Sequence, residues 1–239
     1  MQKISKRELV FIILGGVFIT NAVLGEVIGG KLIQAGPFTM SIGVIPWPVV
    51  FVTSDLVNEY FGKKGVRQLT FLTAALVVYA FIVLFLAMGV PAAPVSPVTD
   101  AAFSMVFSQS QWIIAGSLTA FLVSQFVDVF VFWIFRGWTG GRKLWLRATG
   151  STAVSQFIDS FVITAIAFWL PGKLTAGQFM SLAVINYAYK FILAVVMTPL
   201  IYLFHALIER FLGEELSHQL VENAARESSL QPVAILAQE

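Results

Sequence analysis

The chain has 239 residues, 58% of them hydrophobic and 12% charged, with a mean hydropathy of +0.84. A soluble domain is nearer half apolar and a quarter charged, so the composition predicts a polytopic membrane protein. The lack of cysteine excludes disulfides, thiolate zinc sites, iron–sulfur clusters and cysteine nucleophiles, and a net charge of +2 gives no overall field for nucleic acid.

A span needs about 20 mostly apolar residues. Six runs qualify, at about 9–30, 38–61, 68–90, 111–135, 148–170 and 179–206. The expected fold is all-α, with residues 1–206 as a six-helix transmembrane domain and 207–239 as a cytoplasmic amphipathic helix and tail. Within that last part, 206–227 has an amphipathic pattern, while Ser228, Ser229 and Pro232 mark a loose end. The first run follows a basic start, as a signal peptide would. It lacks a small-x-small cleavage site before Glu26 and reads as a retained helix.

Lys and Arg set the orientation. Lys3, Lys6, Arg7, Lys63, Lys64, Arg67, Arg136, Arg142, Lys143, Arg147, Arg210 and Arg226 all fall on one side of a six-span chain, whereas Lys31 and Lys173 fall on the other. Both termini are therefore expected in the cytoplasm. On the opposite side, the proline-rich loop P-A-A-P-V-S-P-V-T-D leads into a short interfacial helix at Phe103–Phe107. Trp residues in the basic loop R-G-W-T-G-G-R-K-L-W-L-R read as interfacial anchors. In span two, Pro46-Trp47-Pro48 removes two backbone donors. This leaves two readings open: a helix broken beside a ligand, or a kink or re-entrant start. Gly25-x-x-x-Gly29 has the spacing of a close helix contact, most simply an internal one.

One phrase occurs twice. Residues 124–131 read S-Q-F-V-D-V-F-V and residues 155–162 read S-Q-F-I-D-S-F-V. Each places a Gln and an Asp on one helical face inside an apolar run. At about 1.5 Å per residue, Asp55 and Asp128 lie about 12 Å from the basic boundary and Asp159 about 18 Å from it. Lys190 sits eleven residues into span six, near the same depth. Glu59 is one turn from Asp55, and Asn186 one turn from Lys190. One lysine cannot neutralise four acids, and buried charge needs a partner or a wet cavity. The excess marks a ligand site. A carboxylate accepts two parallel N–H bonds, the geometry of a guanidine-like edge, and a guanine-type base presents such an edge. Phe126, Phe130, Phe157, Phe161, Trp47, Tyr60 and Tyr187 are candidate stacking faces.

The same stretches carry a family resemblance. S-D-L-V-N-E-Y-F-G at 54–62, S-Q-F-V-D-V-F-V-F at 124–132, R-A-T-G-S-T-A-V-S-Q-F-I-D-S at 147–160 and Y-K-F-I-L-A-V-V-M-T-P at 189–199 resemble the queuosine precursor transporter family, also called the VUT family. The resemblance implies a carrier for 7-cyano- and 7-aminomethyl-7-deazaguanine in the bacterial inner membrane. It also implies a fold related to the six-helix substrate-binding subunits of energy-coupling-factor transporters. By the same resemblance the substrate-binding residues are Asp55, Glu59, Gln125, Asp128, Gln156, Asp159 and Lys190. Asn186, one turn from Lys190, and the aromatic Trp47 join them from the residue reading above, and the first helix, which resembles one branch of the family, adds Asn21 with Glu26 and Lys31. Where the pattern R-N-N-x-S-T is expected, this chain has Arg147-Ala148-Thr149-Gly150-Ser151-Thr152.

The expected partners are the deazaguanine substrate and the lipid bilayer, with no nucleic acid and no cofactor. The oligomeric state is open, a homo-oligomer included. Two rival classes remain: a binding subunit that needs separate ATPases, and an intramembrane aspartic enzyme. No H-E-x-x-H, G-x-S-x-G or P-loop is present. If spans four and five form an antiparallel hairpin, the two Gln–Asp pairs should face one shared space.

Overall fold

A computed structural model describes residues 4–35, 38–108, 111–139 and 143–236. Lys3 and Arg142, two of the expected anchoring residues, lie outside the described residues.

Helix α1 (Lys6–Ile28) starts with a reciprocal cap: the Ser5 hydroxyl accepts from the Glu8 amide, and the Glu8 carboxylate accepts from the Ser5 amide at 2.8 Å. Such a cap satisfies orphan donors before the apolar run begins. The chain then forms a hairpin in which β1 (Leu32–Ala35) pairs antiparallel with β2 (Phe38–Ser41), Leu32 opposite Ser41. The helix expected from about 38 therefore begins late. After a 3₁₀ turn at Ile42–Val44, α2 covers Trp47–Met88. Pro48 lies in its first turn, where the missing amide has no helical partner to lose. The helix thus begins at the Pro46-Trp47-Pro48 stretch rather than running through it.

Gly62 (φ 67, ψ −169) reverses α2, a conformation that glycine reaches without a Cβ penalty. Ser54 donates to Gln125 at 3.2 Å, while Thr70 lines a pocket with the same Gln125. Val57 also lies against Gly65. Residues 47–61 and 63–88 are thus antiparallel limbs. Next come α3 (Asp100–Phe107), capped by Thr99, and α4 (Gln111–Thr139). Helix α5 (Leu144–Thr164) runs on into a π turn at Ala165–Trp169, and α6 covers Ala176–Leu212. Among the described residues, five helices, α1, α2, α4, α5 and α6, are long and apolar enough to cross a bilayer. Because α2 folds back on itself, they give six segments. The fold is all-α apart from the small hairpin.

In lipid, helices associate through close packing rather than through removal of water, so small residues mark the contacts. Helices α4 and α5 form the tightest pair. A Cβ on Gly150 would lie 2.8 Å from the Phe135 ring, and one on Gly116 would lie 3.2 Å from the Ala167 amide. Gly25 faces Pro46 and Trp47, and the Gly29 carbonyl accepts from Ser41 at 2.7 Å. The Gly25–Gly29 pair is therefore used internally. Phe71, Tyr79, Phe85 and Phe130 point outward, as a lipid-facing surface requires.

Gly213 (φ 90) ends α6 and turns the chain into α7 (Glu214–Leu236). The expected loose end at Ser228 is instead helical to Leu236. Helix α7 packs Leu216, Leu220 and Val221 against a core that includes Val10, Tyr60, Phe132 and Leu144. The Ser228 hydroxyl accepts from the Lys63 amide at 3.2 Å, just beyond the Gly62 reversal. Helix α7 thus covers the basic end of the bundle.

Candidate functional site

A cavity with about 580 Å³ of atom-free space, its open mouth included, lies between α1, α2, α4, α5 and α6. Its walls follow from helical spacing. Trp47, Phe51 and Ser54 come from one face of α2. Ser117, Phe121, Ser124, Gln125 and Asp128 come from one face of α4. Thr152, Ser155, Gln156, Asp159 and Ile163 come from α5, with Lys190 from α6 and Glu26 from α1. Both Gln–Asp pairs line this one space, so the repeated phrase does converge across an antiparallel hairpin.

The polar groups fall into two levels. Toward the basic end, Asp128 accepts from the Ser155 hydroxyl at 3.1 Å, with Ser151 and Thr152 also facing it. Gln125 accepts from Ser54, while its Nε2 has no hydrogen-bond partner. Gln156 Oε1 also lacks a partner. Gln125 is 7% exposed and Gln156 is 2% exposed, so water does not satisfy these atoms from an open surface. Toward the hairpin end, Lys190 Nζ pairs with Asp159 Oδ2. Glu26 faces the Ser117 hydroxyl and has Asp159 and Lys190 as charged neighbours. Trp47 forms an aromatic wall with Phe51, at 6.0 Å between ring centroids, and with Phe121, also at 6.0 Å.

Several expected residues lie elsewhere. Asp55 is buried behind Thr152, in a separate small space with Phe51, Thr149 and Met197, and its Oδ1 has no hydrogen-bond partner. Glu59 belongs to an ion-pair knot. Arg147 Nη2 donates to Glu59 Oε1 at 2.5 Å and Arg147 Nε donates to Oε2 at 3.0 Å. Arg136 Nη1 donates to Oε2 at 3.0 Å, while its Nη2 donates to the Val221 carbonyl of α7 at 3.3 Å. Arg136 stands over the Trp133 ring, whose Nε1 donates to Asn58 at 2.8 Å. The arginines expected as loop anchors thus reach inward and neutralise Glu59, so Lys190 is not the lone internal cation. Asn21 turns its amide back to the Val17 carbonyl at 2.8 Å and does not line the cavity; neither does Asn186. Of the proposed stacking residues, only Trp47 lines the cavity. Phe126, Phe130 and Phe157 face outward, and Tyr60 lies at the basic end beside His205.

Phe51 and Phe121 were missed, as was Ser117. Phe51 could have been found from the series Trp47, Phe51, Asp55, Glu59, which recurs every four residues on one helical face.

These features define a multi-pass membrane protein with a polar, aromatic-walled cavity at its centre. Residues 41–204 match the family described as "Putative vitamin uptake transporter". A relative from Bacillus subtilis (strain 168), described as "Probable queuosine precursor transporter", is 30% identical over 174 residues, covering 72% of this chain and 74% of the relative. No solved structure matches the chain. The chain belongs to this vitamin uptake transporter family.

Proposed function

We propose that this protein imports queuosine precursors, 7-cyano- and 7-aminomethyl-7-deazaguanine, across a bacterial inner membrane, with its basic end in the cytoplasm. The observation that carries the reading is the pair of buried, unpartnered amide atoms, Gln125 Nε2 and Gln156 Oε1, beside Asp128. A buried polar atom left unpaired costs about 1–3 kcal/mol, so a site that keeps two of them gains when a ligand supplies the missing partners. A deazaguanine ring offers an acceptor carbonyl next to N–H donors in one plane. In this reading Asp128 and Gln156 accept from the ring N–H groups, Gln125 donates to its carbonyl, and Trp47, Phe51 and Phe121 cover its faces. The relative's description supports this substrate class.

The charge asymmetry supports import from the hairpin end to the basic end. The Glu59–Arg136–Arg147 knot lies between the cavity and the basic end, so release in that direction requires its three helices to separate. Asp55 and Glu59 act behind the ligand rather than on it.

The test is uptake in cells blocked in queuosine synthesis, expressing this chain and fed each precursor, with queuosine read in tRNA. Restoration by at least one precursor is expected, and restoration by none would sink the proposal. Asp128→Asn should lower uptake at least a hundredfold with membrane insertion intact. Normal uptake by that variant would show the carboxylate to be structural.

A further inference from the structure

The cavity holds a second polar cluster, and it differs in kind from the amide end. Asp128 is level with Ser155, which donates to it. Asp159 lies four residues further along α5, about 6 Å along the axis at 1.5 Å per residue. The two carboxylates therefore mark opposite ends of a space one fused ring system long. At the Asp159 end stand Glu26 and Lys190. The lining holds three acidic residues, Glu26, Asp128 and Asp159, against one basic residue, Lys190, an excess of two acidic groups. Acidic residues alone do not make a site. Here the same cavity also carries the unpartnered, more than nine-tenths buried Gln125 Nε2 and Gln156 Oε1, which independently require a ligand.

The Lys190–Asp159 pair also differs from the knot below it. Its side chains are 26% and 15% exposed, against 4% and 1% for Arg147 and Glu59. A lysine is a point charge on a flexible stem, and it can leave one carboxylate for another without breaking a planar fork. Glu26 lines the same cavity and has Lys190 among its charged neighbours.

We propose that Glu26, Asp159 and Lys190 form a second pole that reads a cationic group on the ligand. The site then takes an N–H-rich planar ring bearing an amine over the same ring bearing a neutral group of equal size. This rests on reading the cavity as the deazaguanine site. The ligand ammonium takes the place of Lys190 at Asp159 with a charge-assisted hydrogen bond, and Lys190 swings toward Glu26. A neutral ligand leaves the Lys190–Asp159 pair closed and is still accepted, but more weakly. Lys190 is a specificity-determining residue in this scheme, because its charge sets how much negative excess remains.

Cells expressing the full chain take up labelled 7-cyano-7-deazaguanine in competition with unlabelled 7-aminomethyl-7-deazaguanine or its neutral 7-hydroxymethyl isostere. In the unmodified protein the aminomethyl compound should compete about tenfold better, the size expected for one charge-assisted hydrogen bond. Glu26→Gln should shrink that ratio toward one, and Lys190→Met should widen it, whatever happens to absolute rates. Equal competition by the two isosteres in the unmodified protein overturns the proposal without any variant having to fold. Unchanged ratios in both variants overturn it as well. In either case, uptake of the labelled compound leaves the deazaguanine reading standing. No uptake of either precursor, each supplied in labelled form, overturns both.

Discussion

Two polar clusters are buried in this bundle about two helical turns apart, and they are built on opposite rules. The three charged groups of the knot at the basic end complete one another. Both oxygens of Glu59 are held by Arg147, one is shared with Arg136, and Arg136 also reaches the Val221 carbonyl. The cavity does not complete itself. Asp128 has hydroxyl donors, but Gln125 Nε2 and Gln156 Oε1 are left without partners in an almost closed space. Groups that satisfy each other hold helices together, whereas groups that leave valences open wait for something to arrive. Buried charge in a membrane is therefore not functional simply because it is buried. What distinguishes the two clusters is the account of donors and acceptors.

That contrast is open to test. The largest effect should come from Arg147→Met, which leaves Glu59 buried without its bidentate partner and should cost about 3–5 kcal/mol. Thermal unfolding of the detergent-solubilised protein would read this as a clear fall in Tm. Adding Glu59→Gln should recover much of it, because the stranded charge is then gone. If Arg147→Met left Tm unchanged, the knot would not be the clasp described here.

Gln156→Leu should do the reverse. It removes a buried acceptor that has no partner, so Tm should hold or rise, while uptake falls about tenfold or more for want of a ligand contact. A variant that lost stability but not uptake would place Gln156 with the knot rather than the cavity. The smallest effect should follow Ser228→Ala, which removes the α7 hydroxyl from the Lys63 amide at the Gly62 reversal. A loss of about 1 kcal/mol is expected, read as a small fall in Tm. Unaltered Tm would show that α7 holds the turn by its apolar contacts alone.

The cavity was legible because its chief residues repeat. S-Q-F-V-D and S-Q-F-I-D put the same two polar groups one turn apart on consecutive helices, and an antiparallel pair brings such faces together. The knot was harder to read, because Arg136 and Arg147 also fit the rule that cations collect at one membrane face. A signal for Arg147 was nonetheless present: Arg147, Ser151, Ser155 and Asp159 recur every four residues. That places the arginine on the polar, small-residue face of α5 rather than toward lipid or loop. Residues 38–41, the second strand of the hairpin, fall in the expected start of span two because they are apolar enough for either strand or helix. Periodicity over so short a stretch does not separate strand from helix.

Composition and apolar run lengths determined that this chain is an all-α membrane protein, since a bilayer demands long apolar helices and little else. The repeated Gln–Asp phrase, by helical spacing alone, determined that two polar faces exist. Only the tertiary structure decided which charges meet. It put Arg147 on Glu59, Lys190 on Asp159 and nothing on Gln125 Nε2 or Gln156 Oε1. A charge's partner is set by contacts across helices far apart in sequence, where a side chain's reach and the approach of two backbones matter more than its neighbours in the chain. Gly62 shows the same division. The sequence allows a turn there, but the reversal that carries Ser54 and Asp55 beside α4 and α5 is fixed by the packing of both limbs.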